Sequence, residues 1–241
     1  MRRGAATAVV SIVSVVSLAA TLATGCSGGS SVVAPDAAPA APPQTYVAVG
    51  ASESVGVGAE RPLVEAWPRV LYRTAVDRNT VFLSVGVEGS TVAEALDDQV
   101  PLALELRPTL VTVWLNVNDL VAGVPAATYE QQLTALVRAL RQDGRARVLV
   151  ANAPPVDELP IYQALTSSGL PPADEVRARV VAYNEAIEQV TDAQGAELID
   201  LHAAGIQATE DGTFASLVSD DGFHPSTEGH ARIAEVFAAA L

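Results

Sequence analysis

The chain has 241 residues, 49% hydrophobic and 17% charged, enough for one sizeable core and too apolar for wholesale disorder. Its 14 basic residues are all arginines and stand against 28 acids, a net charge of -14 with no basic stripe to offset it. Nucleic acid is therefore excluded as a partner, and so is a phosphate-cradling loop that ends in Gly-Lys-Ser/Thr.

In chain order, Arg2 and Arg3 precede a continuous apolar run from Ala5 to about Ala23, then Thr24, Gly25 and Cys26. Charged, then apolar, then small is the order of a secretory signal. The run is also close to the ~20 residues that span a bilayer, so an uncleaved anchor and plain secretion stand beside that reading. The segment Leu22-Ala23-Thr24-Gly25-Cys26 resembles the bacterial lipobox, with Ala23 where leucine is usual. That resemblance implies a signal peptide over 1–25 and lipid on Cys26. The expected location is then outside the cytoplasm, at the outer face of the cell membrane or in the envelope. Cys26 is the only cysteine, so no intrachain disulfide can form. Residues 27–44, SGGSSVVAPDAAPAAPPQ, are Gly/Ser-rich and then Pro/Ala-rich, which cannot build a core. Extended at ~3.1 Å per residue, such a spacer reaches about 55 Å. The functional domain is expected over 45–241.

Within it, short apolar runs alternate with helical periodicity. Strands are expected at Tyr46 to Val49, Thr80 to Val85, Thr109 to Leu115, Arg147 to Ala151 and Glu197 to Leu201. Helices are expected at Leu63 to Ala75, Thr91 to Leu106, Tyr129 to Arg141, Ala173 to Asp192 and Thr227 to Ala240. Strand followed by helix, repeated, implies an α/β fold with a parallel sheet covered on both faces. The proline-rich piece from Asn152 to Pro172 is expected to be irregular and to form part of a pocket wall.

Ligands of such sheets bind beyond the carboxyl ends of the strands. Four stretches fall there: Gly50-Ala51-Ser52-Glu53-Ser54, Gly86-Val87-Glu88-Gly89-Ser90, Asn116-Val117-Asn118-Asp119 and Asp221-Gly222-Phe223-His224-Pro225. Together they hold the parts of ester cleavage. Ser52 is the candidate nucleophile, His224 its base, and Asp221 the carboxylate that fixes the imidazole through Nδ1. The N–H groups of Ser52 and Gly89, with the Asn118 amide, are the candidate oxyanion donors. Gly86 reads as steric relief and Asp119 as a helix cap, while His202 and His230 read as structural or solvated. No standard metal spacing is present, and Gly50-Ala51-Ser52-Glu53-Ser54 lacks the last glycine of a G-x-S-x-G elbow.

These blocks resemble the GDSL or SGNH hydrolases, named for the Ser, Gly, Asn and His of four sequence blocks. Ser52, Gly89, Asn118 and His224 stand at the four positions, in family order, across Thr45 to Leu241. The resemblance implies a flavodoxin-like, three-layer fold with five parallel strands, and serine-dependent ester hydrolysis without metal or cofactor. Three residues depart from the pattern. Ala51 replaces the aspartate of the first block, Glu53 its leucine, and Asn116 the glycine that opens the third. Asn116 adds a side chain beside the expected oxyanion site, which leaves the width of the acyl pocket open. A non-catalytic module that binds an envelope glycan or lipid in the same cleft is the alternative these departures leave open.

Overall fold

The computed structural model describes residues 44–165 and 170–241. The expected signal, Cys26 and almost all of the linker lie outside the described residues. In chain order the elements are β1 (Thr45–Gly50), α1 (Ser52–Val55), α2 (Pro62–Glu65), α3 (Trp67–Thr74), β2 (Val81–Ser84), α4 (Val92–Glu105), β3 (Leu110–Trp114) and α5 (Val117–Val121). They continue with α6 (Ala126–Arg141), β4 (Arg147–Ala151), α7 (Pro160–Leu165), α8 (Ala173–Gln194), β5 (Glu197–Ile199), α9 (Leu201–Glu210) and α10 (Thr227–Ala238).

The five strands form one parallel sheet in the order β2-β1-β3-β4-β5. Alternation along each strand divides the core into two layers. Val47, Val49, Val111, Val113, Val148 and Val150 face one way and pack with α4, α6 and α8 through residues such as Ala95, Leu133 and Ile187. Tyr46, Ala48, Leu110, Trp114 and Leu149 face the other way and pack with α3 and α10. There Trp67 stacks on Phe237 with ring centroids 4.3 Å apart. This is the flavodoxin-like three-layer α/β arrangement. Its strand order reverses between β1 and β3, which opens a crevice at their carboxyl ends.

Three elements differ from the sequence reading for local reasons. The helix expected from Leu63 to Ala75 is two helices, because Pro68 has no N–H to bond the Val64 carbonyl, and Ala66 turns extended at φ -51, ψ 132. The fifth strand stops at Ile199, and α9 begins two residues later, with Asp200 as its N-cap accepting from the Ala203 N–H. The stretch from Asn152 to Pro172 contains a 3₁₀ turn at Val156–Glu158 and α7, so it is not wholly irregular.

Candidate active site

Ser52 is the first residue of α1 and is separated from β1 by Ala51 alone. Every β1 residue from Tyr46 to Gly50 is buried, so the core fixes the point at which the serine leaves the sheet. The end of β1 is also clamped by Gln99 of α4, which is fully buried. Its Oε1 accepts from the Gly50 N–H at 3.0 Å, and its Nε2 donates to the Gly50 carbonyl at 3.0 Å and the Ser90 hydroxyl at 3.1 Å. One amide thus satisfies both backbone groups of Gly50 and ties them to the loop that carries Gly89.

The candidate base, His224, arrives from the other end of the chain. Asp221 Oδ1 accepts from the Ser219 hydroxyl at 2.9 Å and from the N–H groups of Phe223 and His224 at 2.8 and 2.9 Å. Its Oδ2 lies 2.6 Å from His224 Nδ1, and His224 Nε2 lies 3.0 Å from Ser52 Oγ. Burial alone would raise the Asp221 carboxyl; the His224 ring, the His224 and Phe223 N–H groups and the Ser219 hydroxyl outweigh it and hold the carboxyl down at about 2. An ionised Asp221 keeps the proton on Nδ1 and leaves the Nε2 lone pair facing the serine. The loop is braced by Gly58, whose φ is +92; a Cβ there would stand 2.3 Å from the Pro225 carbonyl oxygen.

Gly89 has φ +78 in a turn closed by the Ser90 N–H on the Val87 carbonyl at 3.2 Å, and open space surrounds it. Backbone conformation, rather than crowding, is what demands glycine there. Among the described residues the N–H groups of Ser52 and Gly89 have no backbone acceptor. Asn118 lies in α5, and its Nδ2 donates to the Ser90 carbonyl at 3.0 Å. One amide hydrogen thus holds the Gly89 loop and the second is left for a ligand.

Other positions are less simple than their sequence pattern. Asp119 is buried and caps a neighbouring helix, not its own: both carboxylate oxygens accept from the Val92 N–H of α4, at 3.3 and 3.1 Å. Burial pushes its carboxyl up to about 6, against that bond. Asn116, whose bearing on the pocket's width the sequence left open, turns its Nδ2 to the Ala151 carbonyl at the end of β4, 3.1 Å away, and lines no part of the adjacent cavity. His230 is fully buried, accepting at Nδ1 from the Trp67 N–H and donating from Nε2 to the Val57 carbonyl, so it joins α10 to α3 and the loop after α1. Burial lowers its pKa and keeps it neutral. His202 contributes its N–H to Asn152 Oδ1 and its ring to the Ala153 carbonyl. Gln99 and Gly58 were not singled out from sequence. The signal for Gln99 was a lone amide on an otherwise apolar helix face, with Val92, Ala95 and Ala103; Gly58 had none beyond the glycine itself.

Residues 48–232 match the model of the GDSL-like lipase/acylhydrolase family. The chain belongs to that family. Solved structures of similar fold include a phospholipase A1 from Streptomyces albidoflavus NA297, 18% identical, with 83% of this chain and 100% of that one covered at a TM-score of 0.64. The lipase/acylhydrolase from Enterococcus faecalis is 19% identical over 82% of this chain and 94% of that one, TM-score 0.64. The psychrotrophic esterase EstA from Pseudoalteromonas sp., inhibited by monoethylphosphonate, is 21% identical over 81% and 95%, TM-score 0.59. At these identities the likeness is one of fold. No curated protein matches the chain by sequence. Beside the family's serine position, Glu53 is 8% exposed and lines an apolar cavity of about 90 Å³ with Trp114, Pro154, Leu159, Phe214 and Phe223. Pro154 and Leu159 bring the proline-rich stretch into that wall.

Proposed function

We propose that this chain is a serine-dependent ester hydrolase that works by acyl transfer through Ser52, His224 and Asp221. The observation that carries the reading is the continuous relay from Ser52 Oγ to His224 Nε2 at 3.0 Å and from His224 Nδ1 to Asp221 Oδ2 at 2.6 Å. Nε2 takes the Ser52 proton as Oγ adds to the ester carbonyl, and the oxyanion is met by the N–H groups of Ser52 and Gly89 and the free amide hydrogen of Asn118. The imidazolium then protonates the leaving alkoxide, giving an acyl-serine and a free alcohol. Water, deprotonated by the same nitrogen, adds to the acyl-serine, and collapse returns the carboxylic acid and Ser52. No metal or cofactor enters any step. Carboxylic esters with an apolar part are the substrate class, supported by the apolar cavity and by relatives that include a lipase and a phospholipase.

The site of action is proposed from sequence alone: export through 1–25 and lipid attachment at Cys26, with 27–44 as tether. Replacing Cys26 with Ser should release the protein from the membrane fraction, and unchanged retention there overturns lipid attachment. For the chemistry, a fluorophosphonate probe should label the protein once, at Ser52. Labelling should vanish in Ser52→Ala, fall steeply in His224→Ala and persist at the wild-type rate in His202→Ala. Folded wild type that takes up no probe at pH 8, or a His224→Ala variant that labels equally, leaves a non-catalytic binding module as the better reading.

A further inference from the structure

Glu53 follows the nucleophile and stands where the family pattern has leucine, yet its side chain is not turned to water. It lines the cavity between α9, α10 and the loop that bears His224, whose walls include Trp114, Leu201, Phe214, Leu217, Phe223 and Ile233. Leucine would complete such a wall without cost, whereas a carboxyl buried there loses its hydration unless something pairs with it. Among the described residues no arginine does so. Arg232, the other charged member of the lining, is engaged by Glu235 at 3.0 Å. Burial raises the Glu53 carboxyl above the ordinary carboxylate range, and its own N–H, the nearby His224 ring and the Ser52 side chain only partly oppose this. Glu53 thus sets a polar group, within reach of the Ser52 side chain, into an otherwise apolar wall beside the nucleophile position.

We propose that Glu53 determines specificity, hydrogen-bonding a hydroxyl on the second or third carbon of an acyl chain that enters this cavity, so that hydroxyacyl esters are cleaved in preference to plain hydrocarbon ones. The acyl part is assigned because it remains joined to Ser52 through the acyl-serine, next to the Glu53 carboxyl. A hydroxyl fits better than a charged group, since a second charge in an apolar wall adds its own desolvation cost. A plain chain would cover the carboxyl and offer it no further partner. The inference rests on the esterase reading.

The test compares p-nitrophenyl butyrate with p-nitrophenyl 3-hydroxybutyrate for the full chain and three variants. The wild type should favour the hydroxy ester in kcat/KM by about tenfold or more. Glu53→Gln, which keeps a donor and an acceptor, should retain the preference, while Glu53→Leu and Glu53→Met should reverse it. A loss of folding would lower both rates together, so the ratio reports specificity, and thermal unfolding of each variant checks the fold. Active wild type with no preference, or a ratio unchanged in Glu53→Leu and Glu53→Met, overturns this inference and leaves the esterase reading intact. No hydrolysis of either ester, with no probe on Ser52, overturns both.

Discussion

Ser52 stands at the end of a strand whose last five residues are buried, and its position is enforced by two core layers and the Gln99 clamp. Asp221, which holds the base, has a side chain 45% exposed, and all four of its hydrogen bonds come from residues 219–224. The proposed nucleophile is placed by long-range packing and the proposed base by a short polar loop. The two halves should accordingly fail differently: damage to the loop should remove activity and spare the fold, and damage to the frame should lower stability first.

The largest separation is expected for Asp221→Ala. It removes the acceptor of four donors and the group that fixes the imidazole, so kcat on p-nitrophenyl acetate should fall by about 10⁴. The melting temperature should fall less than in Gln99→Leu, because the loop contributes no apolar core; an equal or larger drop would break the comparison. Asn118→Ala tests the junction of the halves. It should lower kcat by about 10²–10³, or ~2.7–4 kcal/mol, with little change in KM. Wild-type kcat in that variant would leave Asn118 with only its bond to the Ser90 carbonyl.

Gln99→Leu is the converse. It orphans the buried N–H of Gly50, leaves the Gly50 carbonyl with the Val87 N–H alone, and should cost about 1–3 kcal/mol in denaturant unfolding, with activity per folded molecule falling less than in Asp221→Ala. The smallest effect lies in pH. Asp221, held at about 2, contributes stability above its unfolded pKa that is lost as pH falls through 2. Asp119, raised to about 6, has the opposite sign: the fold favours its protonated form, and stability is lost as pH rises from near 4 through 6. Asp119→Asn should flatten the melting temperature between pH 4 and 6, and an unchanged slope there would mean that another group titrates.

The frame was largely legible in the sequence because its signals are long or strongly patterned. The five apolar runs marked the strands to within a few residues, and the periodic helices α4, α6, α8 and α10 were anticipated nearly in full. α1, α2, α5, α7 and α9 were not anticipated as separate elements, since four to ten residues hold too few turns for periodicity to register. Residue types after the strands pointed to one edge, and the geometry brings Ser52, His224 and Asp221 within hydrogen-bonding distance there. What could not be read is direction. Asn116 and Asn118 are two residues apart, yet one amide turns to β4 and the other to the Gly89 loop, a choice made by tertiary acceptors. Gln99 and Glu53 were opaque for the same reason: each acts on a group its neighbours in sequence do not reveal.

Ser52 and His224 are separated by 172 positions. A ribosome adding about 5–20 residues per second exposes β1, α1 and β3 well before the loop at 219–225 has been made. During that interval the serine has its place on the sheet and no base. On the proposed mechanism a product of premature termination would be catalytically silent even where its frame has folded, because it lacks the loop that carries the imidazole.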